Sequence, residues 1–559
     1  MNQPNGSPAA DTHIGKFPRY LVISLLTMFA FGPQYVLNVS FMLNQIIIQN
    51  GFAVGTNTLL LPSVISNLAF ALCVPFGPVF SRVFGLRRSY LTLVAVFFCG
   101  ALLSACSPHM VLFTIGRLIQ GLSAGSLFLT ILPVSLMSFP NAVRNRFLLL
   151  AIGGLFGSSA VGAFLGSLSL TADAWRWLFL LGALGPVFCF LVGYIALPKG
   201  EAQPHHIPFD IWGAVILIAI VVVALFPSIH LESLGIGSVY VWPFFLIALL
   251  LFALFLIVEY HLEHPLVHFR AIRSAKQIFG TSMAIISHIA LIVTLIGVNG
   301  FLRNVKNTKF LSIVHLYLWF IIGVVIVALL GTWLYDKLGA GVLGIIGSLA
   351  VVLVSLYWRA MGTQTSLGQL DIEMGCVGGS IGLVLISGAL GTALAGDIHE
   401  ARWRSVSLHF TRNLIGAIVA PVAAWMVYKE TAIHYEDMRA QISLANPEVN
   451  LEMAKLTQDL LNHGVPAGTA KVAAFAALMQ NAQQAALQSA FHNLFTVLLV
   501  LGMLMTLTSI GMAVTGKGRS LVQKAAQTAT AAQKPEPPRM LIEAGATASP
   551  SSQHGSAQR

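Results

Sequence analysis

The sequence predicts an all-α polytopic membrane protein, and three observations carry that prediction. Of its 559 residues, 56% are hydrophobic and only 9% are charged, against about 25% charged in soluble domains. The mean hydropathy is +0.81. The apolar residues come in continuous runs of about 20, the length a helix needs to cross a hydrocarbon core at ~1.5 Å per residue. They do not alternate as the strands of a membrane barrel would. This composition excludes a soluble enzyme, a nucleic-acid-binding protein and a disordered scaffold. The net charge of +11 does not restore a nucleic-acid partner, because the basic residues are scattered between apolar blocks and form no stripe. The five cysteines (Cys73, Cys99, Cys106, Cys189, Cys376) form no disulfide or zinc framework.

Fourteen spans follow along the chain. After a polar cytoplasmic N-terminus, 1–18, the first runs over 19–43; it is too long for a signal peptide and lacks a small-residue cleavage pattern. Five more cover 57–80, 90–106, 110–138, 147–169 and 176–197. The seventh and eighth, 209–228 and 240–260, are the cleanest, with no charge in 211–226 or 241–258. The last six are 278–301, 312–334, 342–357, 374–396, 407–427 and 491–515. The tenth to twelfth are rich in glycine, which membrane helices use for close packing. A polar insert, 428–490, helical in part, separates the last two spans on the outer face and serves either as a partner surface or as a solvated loop. Residues 516–559, rich in Ala, Gln, Ser, Thr and Pro, read as a disordered cytoplasmic tail. With both termini inside, cytoplasmic segments collect 20 of the 31 Lys and Arg residues and the opposite side 8, so the positive-inside rule places both termini in the cytoplasm.

Charge inside a membrane is costly, so intramembrane ionisable residues are the first functional candidates. They are few. Up to Gly200 the only carboxylates are Asp11 and Asp173, both outside the spans, whereas Arg117 lies inside the fourth and Arg412 inside the thirteenth. Gln34, Asn38, Asn67 and Gln120 are the polar residues expected near Arg117. There is no H-E-x-x-H, G-x-S-x-G or phosphate-binding P-loop, so hydrolase and ATP-driven pump machinery are absent from the sequence. No enzyme, cofactor or metal site is expected.

The segment Gly116-Arg117-Leu118-Ile119-Gln120-Gly121 resembles the fourth-helix motif R-x-x-Q-G of the major facilitator superfamily. The loop Phe84-Gly85-Leu86-Arg87-Arg88 resembles the second half of its signature loop, with a weaker counterpart at Asp336-Lys337-Leu338-Gly339. The glycines of the fifth span (Gly153, Gly154, Gly157, Gly162, Gly166) are similar to the antiporter motif there. Trp175-Arg176-Trp177, the run from Glu259 to Leu266, and Arg412-Asn413-Leu414-Ile415-Gly416 follow in order. With fourteen spans, the chain is identified as similar to the drug/proton antiporter branch of EmrB/QacA type over about residues 19–515. The resemblance implies two six-helix bundles, 19–197 and 278–515, with two helices inserted within 198–277. It further implies a site between the bundles exposed alternately to each side, export of lipophilic drugs in exchange for protons across a bacterial inner membrane, and in some members a periplasmic adaptor and outer-membrane channel.

The chain departs from the pattern where acids belong. Pro33 occupies the place of the first-span acid, and Arg82 or Ser81 that of the signature-loop Asp. A proton carrier needs a group whose pKa can cross the working pH, which arginine cannot do. The remaining coupling candidates are His288, His315, His409, Asp371 and Glu373. Arg117 either binds an anionic group or is held structurally by carbonyls and neighbouring amides. Without bundle acids, a cationic substrate would lack a partner, so neutral or anionic substrates are favoured. An uncoupled facilitator and a non-transporting receptor or assembly platform are the competing readings.

Overall fold

The computed structural model describes residues 13–520 except 15–16, 44, 148–153, 155–156, 173, 199–208, 398–399 and 443–445. The expected N-terminal segment, most of the expected tail and the first part of the fifth span therefore lie outside the described residues. One two-residue pairing, His13–Ile14 with Phe17–Pro18, precedes a helical chain. The first set of helices is α1 (Arg19–Leu43), α2 (Gln45–Phe52), α3 (Thr56–Cys73), α4 (Phe76–Val83), α5 (Leu86–Ala105), α6 (Met110–Ser138), α7 (Ser158–Ala172) and α8 (Trp175–Ala196). Two helices intervene, α9 (Ile211–Leu234) and α10 (Trp242–His261). The second set is α11 (Ala275–Gly300), α12 (Phe310–Leu338), α13 (Ala340–Trp358), α14 (Leu367–Ala393), α15 (Ala401–Gln441), α16 (Pro447–Asn462) and α17 (Ala467–Val514).

Each predicted span holds a helix. Twelve are individually long and apolar enough to cross a bilayer. The second span is the pair α3–α4, bent by 53° where Pro75 removes a backbone donor, and α7 lies in the fifth. Without a hydrophobic drive between helices in lipid, close backbone approach supplies the contact. On the α3–α6 seam, a Cβ at Gly121 or Gly125 would lie 2.2 Å from the carbonyl oxygen of Ser66 or Phe70. On the α12–α14 seam, a Cβ at Gly323 would lie 1.8 Å from that of Gly375. The two sets meet where α3 packs on α15 and α7 on α12. Helix α9 packs on both α3 and α15, whereas α10 packs mainly on α9 and only 17% of its apolar window is buried, leaving the rest to lipid.

The two signature-like loops share a backbone device. Gly85, before α5, has φ 81° and ψ 149°; Gly339, between α12 and α13, has φ 81° and ψ 168°. Only glycine adopts that region readily. Arg87 lies over the Tyr194 ring at 4.3 Å and Lys337 over Trp333 at 3.7 Å, each anchoring its loop, while Arg88 is exposed and Asp336 sits in the last turn of α12.

The polar insert is far more helical than its composition first implies. Helix α15 continues for 41 residues, α17 starts 24 residues before the apolar span it contains, and α16 packs on α17 around Met453, Ala474 and Leu478. The stretches 428–441 and 467–490 are polar but rich in helix-forming Ala, Gln, Met and Glu. Breaks fall at Pro447, Gly464 and Pro466.

Candidate functional site

Helices α1, α3, α11 and α15 line a cavity of about 440 Å³ between the two sets, within the range of drug-sized ligand sites. Its wall is mostly apolar, including Val39, Met42, Leu60, Phe70, Leu291 and Ile296. Polar groups enter from α1 (Gln34, Tyr35, Asn38), α3 (Asn67), α11 (His288) and α15 (Arg412, Asn413). The cavity extends to the end of the molecule where Gln45 and Asn304 lie. The other end, which carries the described chain termini, is shut. There the Arg402 guanidinium donates to the Pro78 carbonyl at 3.2 Å, and Trp403 is held between the two sets. His268 stacks on Trp403 at 3.7 Å and 19°, and Arg82 lies over its ring at 4.8 Å. Arg82, one of the two residues (with Ser81) at the place of the signature-loop acid, thus grips α15 through the aromatic face of Trp403. The His268 imidazole is held down at about 4 by burial and then by nearby Arg82, His264, Arg270 and Arg402.

The amide residues singled out around Arg117 form one network. Gln34 Nε2 donates to Ser66 Oγ at 2.8 Å and to Asn38 Oδ1 at 3.2 Å, and Asn38 Nδ2 donates to Asn67 Oδ1 at 2.7 Å. Arg117 Nη2 donates to Asn38 Oδ1, and Nη1 donates to Gln120 Oε1 at 2.6 Å. Gln120 Nε2 in turn donates to the Gly100 carbonyl at 3.1 Å and Ser104 Oγ at 3.0 Å. Arg117 is fully buried beneath Phe41 and Phe179. Gln34, Asn38 and Asn67 face the cavity, whereas Arg117 and Gln120 are a layer behind its lining residues. Both Nη groups of Arg117 are engaged by amide oxygens, one of them on Asn38, while its Nε has no hydrogen-bond partner among the described residues. Arg117 therefore does not line the cavity in this state.

Arg412 occupies the place in the wall that Arg117 does not. It is 1% exposed, and its Nη2 has only long contacts to Tyr35 Oη at 3.5 Å and Asn413 Oδ1 at 3.4 Å. Its Nε has no hydrogen-bond partner among the described residues. Phe128 lies 5.9 Å from the guanidinium and 5.0 Å from the His409 ring, which is buried one turn earlier with Nδ1 unpartnered among the described residues. His288 reaches the cavity across Gly416: a Cβ there would lie 2.6 Å from its Nε2, so the missing side chain is what admits the ring. Sequence reasoning placed Arg412 inside the thirteenth span and in a motif without giving it a role, and missed Tyr35. The signal for Arg412 was present, since it is a cation within an apolar span, as Arg117 is.

The other coupling candidates lie apart from the cavity lining. Asp371 and Glu373 are in the first turns of α14. Asp371 Oδ2 is 2.8 Å from the Nδ1 of His315, an exposed residue of α12. Glu373 accepts from Trp358 Nε1 at 2.8 Å and Gln369 Nε2 at 2.7 Å. Of the sequence-predicted coupling groups, His288 is the one that lines the cavity.

No protein-family model matches the chain. It is 29% identical over 523 residues to an uncharacterized MFS-type transporter, YubD, of Bacillus subtilis (strain 168), covering 93% of this chain and 94% of that protein. It is 25% identical over 437 residues to the quinolone resistance protein NorB of Staphylococcus aureus (strain bovine RF122 / ET3-1), covering 72% of this chain and 90% of that protein. A second NorB, from strain JH9, is 26% identical over 351 residues, covering 57% and 74%.

Proposed function

We propose that the chain, which is similar to transporters of the major facilitator superfamily including its drug-efflux branch, is a multi-pass transporter of that superfamily and exports lipophilic small molecules, neutral or anionic, by alternating access. The observation that carries this reading is the cavity between the two helix sets, apolar in its walls, open toward one end and shut at the other by Arg402 and the Trp403 contact. Rocking one set against the other about α3–α15 and α7–α12 would transfer the opening to the terminus side. We place that side in the cytoplasm of a bacterial inner membrane on the distribution of Lys and Arg. The open end then faces outward, as a release state of an exporter would. The relatives named for quinolone resistance support drug-like substrates.

Coupling to protons is part of the proposal, with His288 as the titratable group best placed to sense the cavity. The projecting helices α15–α17 offer the surface on which a periplasmic adaptor leading to an outer-membrane channel would sit. The test uses everted membrane vesicles with an acid interior, comparing a lipophilic weak acid with a lipophilic cation. Passive distribution expels a weak acid from an acid compartment, so its accumulation reports the protein. Accumulation of the acid that stops with a protonophore supports the reading. Accumulation of the cation alone contradicts the substrate preference, and uptake that ignores the gradient points to a facilitator.

A further inference from the structure

The proposed exporter leaves open what its substrate carries, and the cavity bears on that. Of the two arginines buried in the core near the cavity, Arg117 sits behind the wall with both Nη groups engaged at short range, one on Gln120 Oε1 at 2.6 Å and the other on Asn38 Oδ1, its Nε unpartnered among the described residues. Arg412 is in the wall, equally buried, its Nε likewise unpartnered among the described residues, but its Nη2 contacts are no shorter than 3.4 Å; Arg303, the other arginine of the lining, is only half-buried, beside Asn304 at the open end. A guanidinium in low dielectric without a carboxylate is costly, and no carboxylate pairs with Arg412 among the described residues. The acid that lines the cavity is Glu232, and it lies at the mouth. Gly235, one turn further along α9's end, sits beside Trp425, a Cβ there lying 3.9 Å from Trp425 Nε1. Trp425 is thirteen residues beyond Arg412 on α15, about 20 Å at ~1.5 Å per residue. The neighbours of Arg412 add no negative charge: Tyr35, Asn413, His288 and His409 are neutral or cationic. Tyr35 and Asn413 can turn donors toward an oxygen held at the guanidinium.

Resting on the exporter reading, we propose that Arg412 is the anion-recognition group of the cavity. The substrates are then amphiphilic anions, each an aromatic or alkyl body seated against Leu291, Ile296, Val39 and Phe70 with one carboxylate or sulfonate on Arg412. An arginine fork receives two oxygens of such a group at once, which an amide isostere cannot offer. The apolar wall then supplies affinity for both the anion and its neutral analogue, and Arg412 supplies the difference.

The experiment measures binding, so that it stands apart from transport. The full-length protein in nanodiscs of zwitterionic lipid is dialysed against naphthylacetate and against naphthylacetamide, with empty nanodiscs as the partition control. The wild type is expected to bind the carboxylate about tenfold or more tighter than the amide, a conservative share of a charge-assisted contact in a partly wet cavity. Arg412→Gln is expected to abolish that preference while amide binding stays within about twofold, and Arg412→Lys to keep part of it. Equal wild-type affinities, binding of neither probe, or a preference that survives in Arg412→Gln overturns the proposal. Should Arg412→Gln not fold, the wild-type comparison and Arg412→Lys decide alone. Carboxylate-selective binding without vesicle transport would remove the exporter reading and leave the site; transport of the amide with no preference for the acid would do the reverse.

Discussion

Replacing Trp403 with leucine should loosen the shut end of the molecule while keeping most of its apolar burial. Two contacts between the helix sets and the linker depend on the indole: the Arg82 guanidinium over its face at 4.8 Å and the His268 ring stacked at 3.7 Å. A cation–π contact contributes about 0.5–2 kcal/mol according to its exposure, and an aromatic pair about 0.5–1.5 kcal/mol beyond area burial. The Arg402 hydrogen bond to Pro78 remains, so the loss is about 1–3 kcal/mol. That shifts the open-to-shut ratio at this end about 5- to 150-fold. The assay places a single cysteine at Ser63 in the cavity wall, in a background freed of the five native cysteines. An impermeant maleimide is then applied from the terminus side of oriented vesicles. The labelling rate should rise at least about fivefold in Trp403→Leu. An unchanged rate would mean that the indole does not hold the two sets together, and the account of how Arg82 grips α15 would fail with it.

The same contact should respond to pH. His268 in the shut state is held at about 4, first by burial and then by the surrounding cations, whereas an exposed histidine titrates near ~6.5. The open state therefore takes up the proton more readily. Closure is at full strength above about pH 6.5 and weakens as the pH on that side falls toward 4. His268→Phe, which keeps a ring on Trp403, should label slowly throughout that range once each rate is divided by that of a permanently exposed cysteine at the same pH, because the thiolate is the reacting form; a pH-dependent normalised rate in this variant would exclude His268 as the sensor. Asn38→Ala takes from Arg117 one of its two acceptors and should lower stability by about 1–3 kcal/mol, seen as a reduced Tm in detergent, with a smaller loss for Asn67→Ala. Gly339→Ala combines a φ of 81° with a Cβ only 2.9 Å from the Lys517 carbonyl oxygen, and Gly85→Ala meets the same φ of 81°. Each should cost about 1–3 kcal/mol, read as a reduced Tm in detergent, and an unchanged Tm would show that the loop backbone gives way freely.

Much of the fold is legible in the chain because the membrane allows so few solutions. A run such as 211–226 must be a helix, since every backbone group has to be satisfied within it. The polar insert was harder to read, because 428–441 carries no apolar stripe and the stripe of 467–490 (Ala470, Ala474, Leu478) is built mostly of alanine, so helical character rests largely on propensity. Arg117 announced itself as a buried charge, and its partner Asn38, though 79 residues away, was among the amides expected beside it. Which of two buried arginines faces the cavity depends on how α6 and α15 are rotated, and composition does not encode that rotation. Likewise, Glu373 looked available until Trp358 and Gln369 were brought onto its two oxygens. His288 was recognisable as titratable, whereas its access to the cavity depends on the bare backbone of Gly416.

The most direct test of the central claim is reconstitution of the purified protein into proteoliposomes with an imposed acid interior. Naphthylacetate uptake is followed against empty liposomes, with and without a protonophore. Accumulation against the passive distribution, abolished by the protonophore and by Arg412→Gln, is the predicted result. Uptake no greater than in empty liposomes, with the protein monodisperse and still binding naphthylacetate, would contradict the account.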